Sequence, residues 1–169
     1  MALTKINNNT LSAITGLPAG VGGKVLQVVS SVLSTQASTT SDFGSTGIAS
    51  GLKASITPSS TSSKIYIASG LSVLIDADGN QTNKIGKFGI KHNTGSSLLY
   101  VTRVGAKLSG ADKDFFGNTS MNYLHSPNST SSQEYEIVFG RWSATYNNTV
   151  EINDSGDFDS TITLMEIAG

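Results

Sequence analysis

Apolar and polar side chains alternate with a period of two along most of this chain, most plainly between residues 46 and 75. Leu52, Ala54 and Ile56 alternate with Lys53 and Ser55. A polar run from Thr57 to Lys64 follows, with Pro58 in it, and Ile65 and Ile67 then resume the alternation. Apolar residues at every second position mark strands with one buried face, and the Pro/Ser/Thr run between them marks a hairpin. Pro58 has no N–H to give to a ladder and so ends the first strand. The connection is too long for a two-residue turn, which leaves the register to the buried face.

The same pattern predicts further strands. Lys24 to Leu33 is apolar on both faces through Val25, Leu26, Val28, Val29, Val32 and Leu33, as expected of a strand covered on both sides. Ser34 to Ser45 reads as a polar loop interrupted by Phe43. Leu71–Ile75 reads as its own strand, Asp76–Asn83 as a turn, and Lys84–Lys91 and Ser97–Val104 as strands. Gly105–Ser132 is the least patterned stretch, with Phe115-Phe116 and Met121 to Leu124 read as one more strand pair. Gln133–Trp142, Tyr146–Asn153 and Ser160–Ala168 complete the set. In the last of these Ile162 and Leu164 face one way and Met165 and Ile167 the other, so it is central or covered by a partner.

About eight or nine short strands at intervals of about 8–15 residues, with no helical period, predict an all-β fold. The expected architecture is an antiparallel β-sandwich, jelly-roll-like in its strand number. The absence of an internal repeat argues against a propeller or a β-helix.

Residues 1–23 fall outside this pattern. Leu3, Ile6, Leu11, Ile14 and Leu17 are isolated among Asn, Thr and Gly, residues that lower helix propensity. We read residues 1–23 as an extended N-terminal arm that docks these side chains on a neighbour, and residues 24–169 as the sandwich domain.

Composition narrows the function. The chain has 169 residues, of which 37% are hydrophobic and only 14% charged, with Ser and Thr supplying about a quarter. That length can bury a core unaided, and Thr in strands with Ser, Asn and Gly in turns suits the predicted fold. A net charge of −1 supplies no field for nucleic acid or an anionic membrane. Neither a membrane-spanning helix nor a signal peptide is expected. With no cysteine there is no disulfide, thiolate zinc site or cysteine nucleophile. Oligomerisation is then the expected source of extra buried apolar area.

Four groups of residues bear on chemistry. Asp76, Asp78 and Asn80 have the one-three-five oxygen spacing of a calcium loop, but Gln81 stands where the sharp-turn glycine belongs and Lys87 where the bidentate glutamate belongs. A plain turn, with a weak cation site as the alternative, is the expectation. Asp154, Asp157 and Asp159 precede the last strand and read as acidic turn residues, the sharper alternative being a glycosidase pair. His92 and His125 lack partners at metal-ligand spacing. Tyr123, Arg141, Trp142 and Tyr146 form the candidate receptor or glycan contact, since aromatic faces stack on apolar sugar faces. The alternative for Trp142 is a core or subunit-interface role.

Three stretches carry a resemblance: GLPAGVGGKVLQVVSS (Gly16 to Ser31), LKASITPSSTSSKIYI (Leu52 to Ile67) and STITLMEIAG (Ser160 to Gly169). In this order they resemble segments of the tail fibre and virion structural proteins of marine tailed phages. They bracket nearly the whole chain, and none is a catalytic signature. The resemblance implies a non-enzymatic virion structural protein without a cofactor, assembled in the host cytoplasm and carried on the extracellular particle. It points to a tail fibre or host-recognition component, a homotrimer, with the arm attached to other tail or capsid proteins. Asp76–Asn83 and Gly105–Ser132 would then face a host-surface glycan or protein. The alternatives are a capsid decoration (cement) protein stabilising the phage head and a carbohydrate-binding or carbohydrate-processing tail protein.

Overall fold

A computed structural model describes residues 23–77, 83–107, 114–154 and 158–169. Ten strands run through them: β1 (Val25–Leu33), β2 (Ala37–Thr39), β3 (Ile48–Ile56), β4 (Lys64–Ala77), β5 (Asn83–His92), β6 (Ser97–Lys107), β7 (Phe115–His125), β8 (Gln133–Arg141), β9 (Asn148–Ile152) and β10 (Ser160–Ile167). The arm residues Leu3, Ile6, Leu11, Ile14 and Leu17 lie outside the described residues, as do Asp78, Asn80 and Asp157.

The fourteen-residue β4 is the spine of a six-stranded sheet. Along one side it pairs with β7 from Ile65↔His125 to Ile75↔Phe115. Its other side is shared: β10 pairs with Lys64–Gly70 and β9 with Val73–Ala77. β1 lies outside β10, and β2 outside β9. The second sheet has the order β3-β8-β5-β6, and every ladder is antiparallel. Setting aside the short β2 and β9, the two sheets read β1-β10-β4-β7 and β3-β8-β5-β6. This interleaving of chain order is two Greek keys wrapped together, a jelly roll.

The alternation places one apolar set between the sheets. Leu52, Ala54 and Ile56 of β3 face Ile65, Ile67, Leu71, Val73 and Ile75 of β4, with Phe88, Ile90, Met121, Ile137, Phe139, Ile162 and Leu164 between them. Most are completely buried, and each such side chain is worth about 1.5–3 kcal/mol of transfer free energy.

Four sequence readings change. β1 is an edge strand covered on one face only: Leu26, Val28 and Val32 are 42%, 56% and 54% exposed. Lys64–Ile67 and Leu71–Ile75 are one strand running through Gly70, because ladders on both sides hold the backbone extended there. Phe115 to His125 is one strand rather than a pair, so half of the expected recognition loop at 105–132 is sheet. The polar loop after β1 contains β2, which pairs with β9 over a hundred residues away.

Phe43, in the same loop, is 3% exposed. Its segment runs along the end of β8, with Phe43 N–H donating to the Arg141 carbonyl at 2.9 Å and Arg141 N–H to the Ser41 carbonyl at 2.9 Å. Its ring lies on the outer face of the four-stranded sheet. A Cβ at Gly140 would fall 2.8 Å from the Phe43 backbone, and one at Gly89 3.2 Å from its ring. The slot thus exists because these strand positions carry no side chain.

Glu166 ties β10 to β1 and to the β3–β4 connection. Oε1 accepts from the Ser59 N–H and the Ser59 hydroxyl, both at 2.7 Å, and Oε2 accepts from Gln27 Nε2 at 2.6 Å. The Ser63 hydroxyl is close by but outside hydrogen-bonding geometry. Burial alone would raise this carboxyl; the donors around it outweigh that and hold it at about 2.

Candidate functional site

The expected aromatic platform assembles only in part. Trp142 and Tyr146, brought together by the turn after β8, stack with ring centroids 5.4 Å apart, and the Arg103 guanidinium lies 5.0 Å from the indole centroid. Arg141 Nη1 donates to the Tyr146 carbonyl at 3.3 Å. The indole is therefore already engaged by two partners of its own chain. Tyr123 does not join them. It faces inward from β7, half-buried against the core, two residues before His125, which bonds Tyr135. Trp142 lies seven residues beyond Tyr135, so about 20–25 Å of extended chain separates Trp142 from Tyr135.

The two histidines meet at the opposite end of the sandwich. Their ring centroids are 4.7 Å apart, and His92 stacks on Tyr135 at 5.0 Å. Gln133 Nε2 donates to the Ser131 carbonyl, which turns its Oε1 toward His92, so His92 Nε2 carries the proton of their 2.9 Å bond. Tyr135 OH and His125 Nδ1 are 2.8 Å apart. Burial raises the Tyr135 phenol far above its ordinary value, so it stays protonated and donates to neutral His125. Burial, then the neighbouring His92, lowers His125. The cluster bolts β5 and β8 of one sheet to β7 of the other. Among the described residues no group of three His, Cys, Asp or Glu is placed to hold a metal ion.

The outer face of the six-stranded sheet carries two features that alternation alone did not disclose. Near the start of β4 the registers place Val28, Met165, Tyr66 and Leu124 in one row across β1, β10, β4 and β7. Val28 is 56% and Leu124 50% exposed, and Leu26 and Val25 extend the band along β1. Farther along β4 the face turns polar and hollows out. One depression of about 390 Å³ is lined by Gly70, Ser72, Asn118, Ser120, Asp159 and Thr161 among others. A second, of about 260 Å³, adjoins it through Ser72 and Asn118 and is lined also by Phe116, Asp154 and Phe158. Asp154 and Asp159, read from the sequence as turn carboxylates, thus stand on this groove, and Trp142 does not. Phe116 and Phe158 were missed: forty residues separate them, and only the β4–β7 register and the approach to β10 bring them together.

No protein-family model matches the sequence, and no curated protein matches it. Solved structures resemble it in fold. The structure of the infectious bursal disease virus Gx strain is 16% identical with a TM-score of 0.38, over 85% of this chain and 37% of that one. The sugar-binding C-terminal domain of EclA is 11% identical with a TM-score of 0.33, over 95% and 99%. A CBM4 structure is 15% identical with a TM-score of 0.37, over 88% and 81%. The chain spans little more than a third of the virus chain. The jelly-roll assignment rests on the strand order itself.

Proposed function

We propose that the protein is a non-enzymatic structural component of a tailed-phage virion that assembles as a homo-oligomer, most simply a trimer, through the outer face of its six-stranded sheet. The observation that carries this reading is the row Val28–Met165–Tyr66–Leu124, half-buried at its centre and exposed at both ends, continued along the apolar edge strand β1. Monomeric soluble proteins rarely leave contiguous apolar surface of this kind uncovered. A second copy covering it would also protect the open edge of β1 from indiscriminate strand pairing.

The arm supports the same reading. The described chain begins at Gly23, packed against Ile167 beside this band. If extended, the twenty-two residues before Gly23 would reach about 70 Å, enough to cross a neighbouring subunit. Leu3, Ile6, Leu11, Ile14 and Leu17 would supply the contacts. The three sequence motifs favour a tail fibre or host-recognition part. Gly23 stands at the pole that bears the band, and an arm over the preceding residues that crossed to a neighbour would favour, as a second reading, a capsid decoration protein.

Immunogold labelling of purified particles with serum against the chain tests this. Label on the tail supports the first reading and label on the head the second. Particles that carry none of the protein by mass spectrometry overturn both.

A further inference from the structure

We propose that the groove on the outer face of β4, β7 and β10 is a binding site for a neutral oligosaccharide. The inference stands apart from the assembly reading, because the groove and the apolar band occupy different parts of the face.

Shape comes first. The two depressions, about 390 and 260 Å³, share Ser72 and Asn118 and so form one trough, of the size that small-molecule sites take. Its floor is open because position 70 carries no side chain: a Cβ on Gly70 would meet only Thr161 Oγ1, at 3.7 Å.

The lining chemistry then selects the ligand. Ser72, Ser120 and Thr161 offer hydroxyls that both donate and accept, and Asn118 offers an amide that does the same. Asp154 and Asp159 add carboxylate acceptors, and among the described residues no lysine or arginine lines either depression. A polyhydroxylated ligand satisfies such a surface, whereas an anionic one is repelled.

Phe116 and Phe158 complete the site, 63% and 54% exposed. Phe116 stands on the face of β7 and Phe158 in the connection before β10; large aromatics left this open are unfavourable unless something covers them, and phenyl faces suit the C–H faces of pyranose rings. At the other candidate, Arg103 and Tyr146 already occupy the Trp142 indole. The groove is the better aromatic surface for a sugar.

The test is affinity electrophoresis in native gels cast with neutral polysaccharides (glucan, mannan, galactomannan and xylan) and, separately, with alginate. Wild-type protein should be retarded in at least one neutral gel and not in alginate. Phe116→Ala and Phe158→Ala should each weaken retardation about tenfold. Gly70→Leu should abolish it by filling the floor, and Trp142→Ala should retain it. Circular dichroism matching wild type confirms that each variant is folded, and the two exposed phenylalanines can be removed without touching the core. Passage of wild-type protein through every neutral gel unretarded, retardation in alginate, or retardation indifferent to both phenylalanine substitutions would each overturn the assignment.

Discussion

Replacing Glu166 with Gln should destabilise the protein at neutral pH and become nearly silent in acid. The carboxylate accepts three charge-assisted hydrogen bonds of 2.6–2.7 Å from Ser59 and Gln27. A glutamine keeps the volume but turns an NH₂ toward one set of those donors. A carboxyl held at about 2 rather than 4.5 is worth at most about 3.5 kcal/mol, at about 1.4 kcal/mol per pH unit. The glutamine amide oxygen still accepts from one set of those donors, which brings the expectation to about 1–2 kcal/mol. For a chain of this size that is a drop in Tm of about 3–6 °C. The folded-state value is depressed, so the stabilisation is complete above pH 4.5 and is lost as pH falls from 4.5 to about 2. Thermal unfolding of wild type and Glu166→Gln, followed by circular dichroism at pH 7, 5, 3.5 and 2.5, reads this directly. The two Tm curves should run parallel from pH 7 to 5 and converge below. An offset that persists unchanged to pH 2.5, or no offset at pH 7, would refute the reasoning.

Three further outcomes follow from other parts of the fold. Phe43→Ala should cost about 3–5 kcal/mol in urea unfolding, as for a buried core phenylalanine, although Phe43 lies in a loop outside the sandwich. Gly140→Ala should also destabilise by pushing the Phe43 segment off β8, and the double variant should cost less than the two single costs combined, because both act on one contact. His125 has a folded-state value below 6.5, so stability should fall as pH drops below 6.5, where the unfolded chain takes up a proton that the folded one resists. His125→Gln should flatten the Tm profile between pH 7.5 and 5.5 while leaving the Glu166 window below pH 4.5 intact. An unchanged slope would contradict that account of the histidine pair.

The strands that pack one clean face were legible in the sequence. β3 and β8 announce themselves because Leu52, Ala54, Ile56, Tyr135, Ile137 and Phe139 fall on alternate positions and all face the core. β7 was obscured because its inward positions include Gly117 and Thr119 beside Phe115 and Met121, while its outward face is largely polar. β4 was split at Gly70, since a glycine reads as a break until the ladders on either side are known. β1 misled in the opposite sense. Its second apolar face suggested burial within the chain, whereas it is the exposed edge of the band. The site was least legible of all. The carboxylates Asp154 and Asp159 were noticed, but Gly70, Phe116 and Phe158 acquire meaning only through pairings between strands distant in sequence. Trp142, conspicuous as the one tryptophan, is engaged by its own neighbours.

The central claim is that the apolar row on the six-stranded sheet is a subunit interface. Light scattering on the full-length protein and on the Val28→Lys/Leu124→Lys variant, over a range of concentrations, tests it most directly. Both positions are half exposed or more, so the substitutions leave the core untouched. The account predicts a wild-type mass of three chains, independent of concentration, and a folded monomer for the variant. A monomeric wild type, or a variant that keeps the wild-type mass, would contradict it.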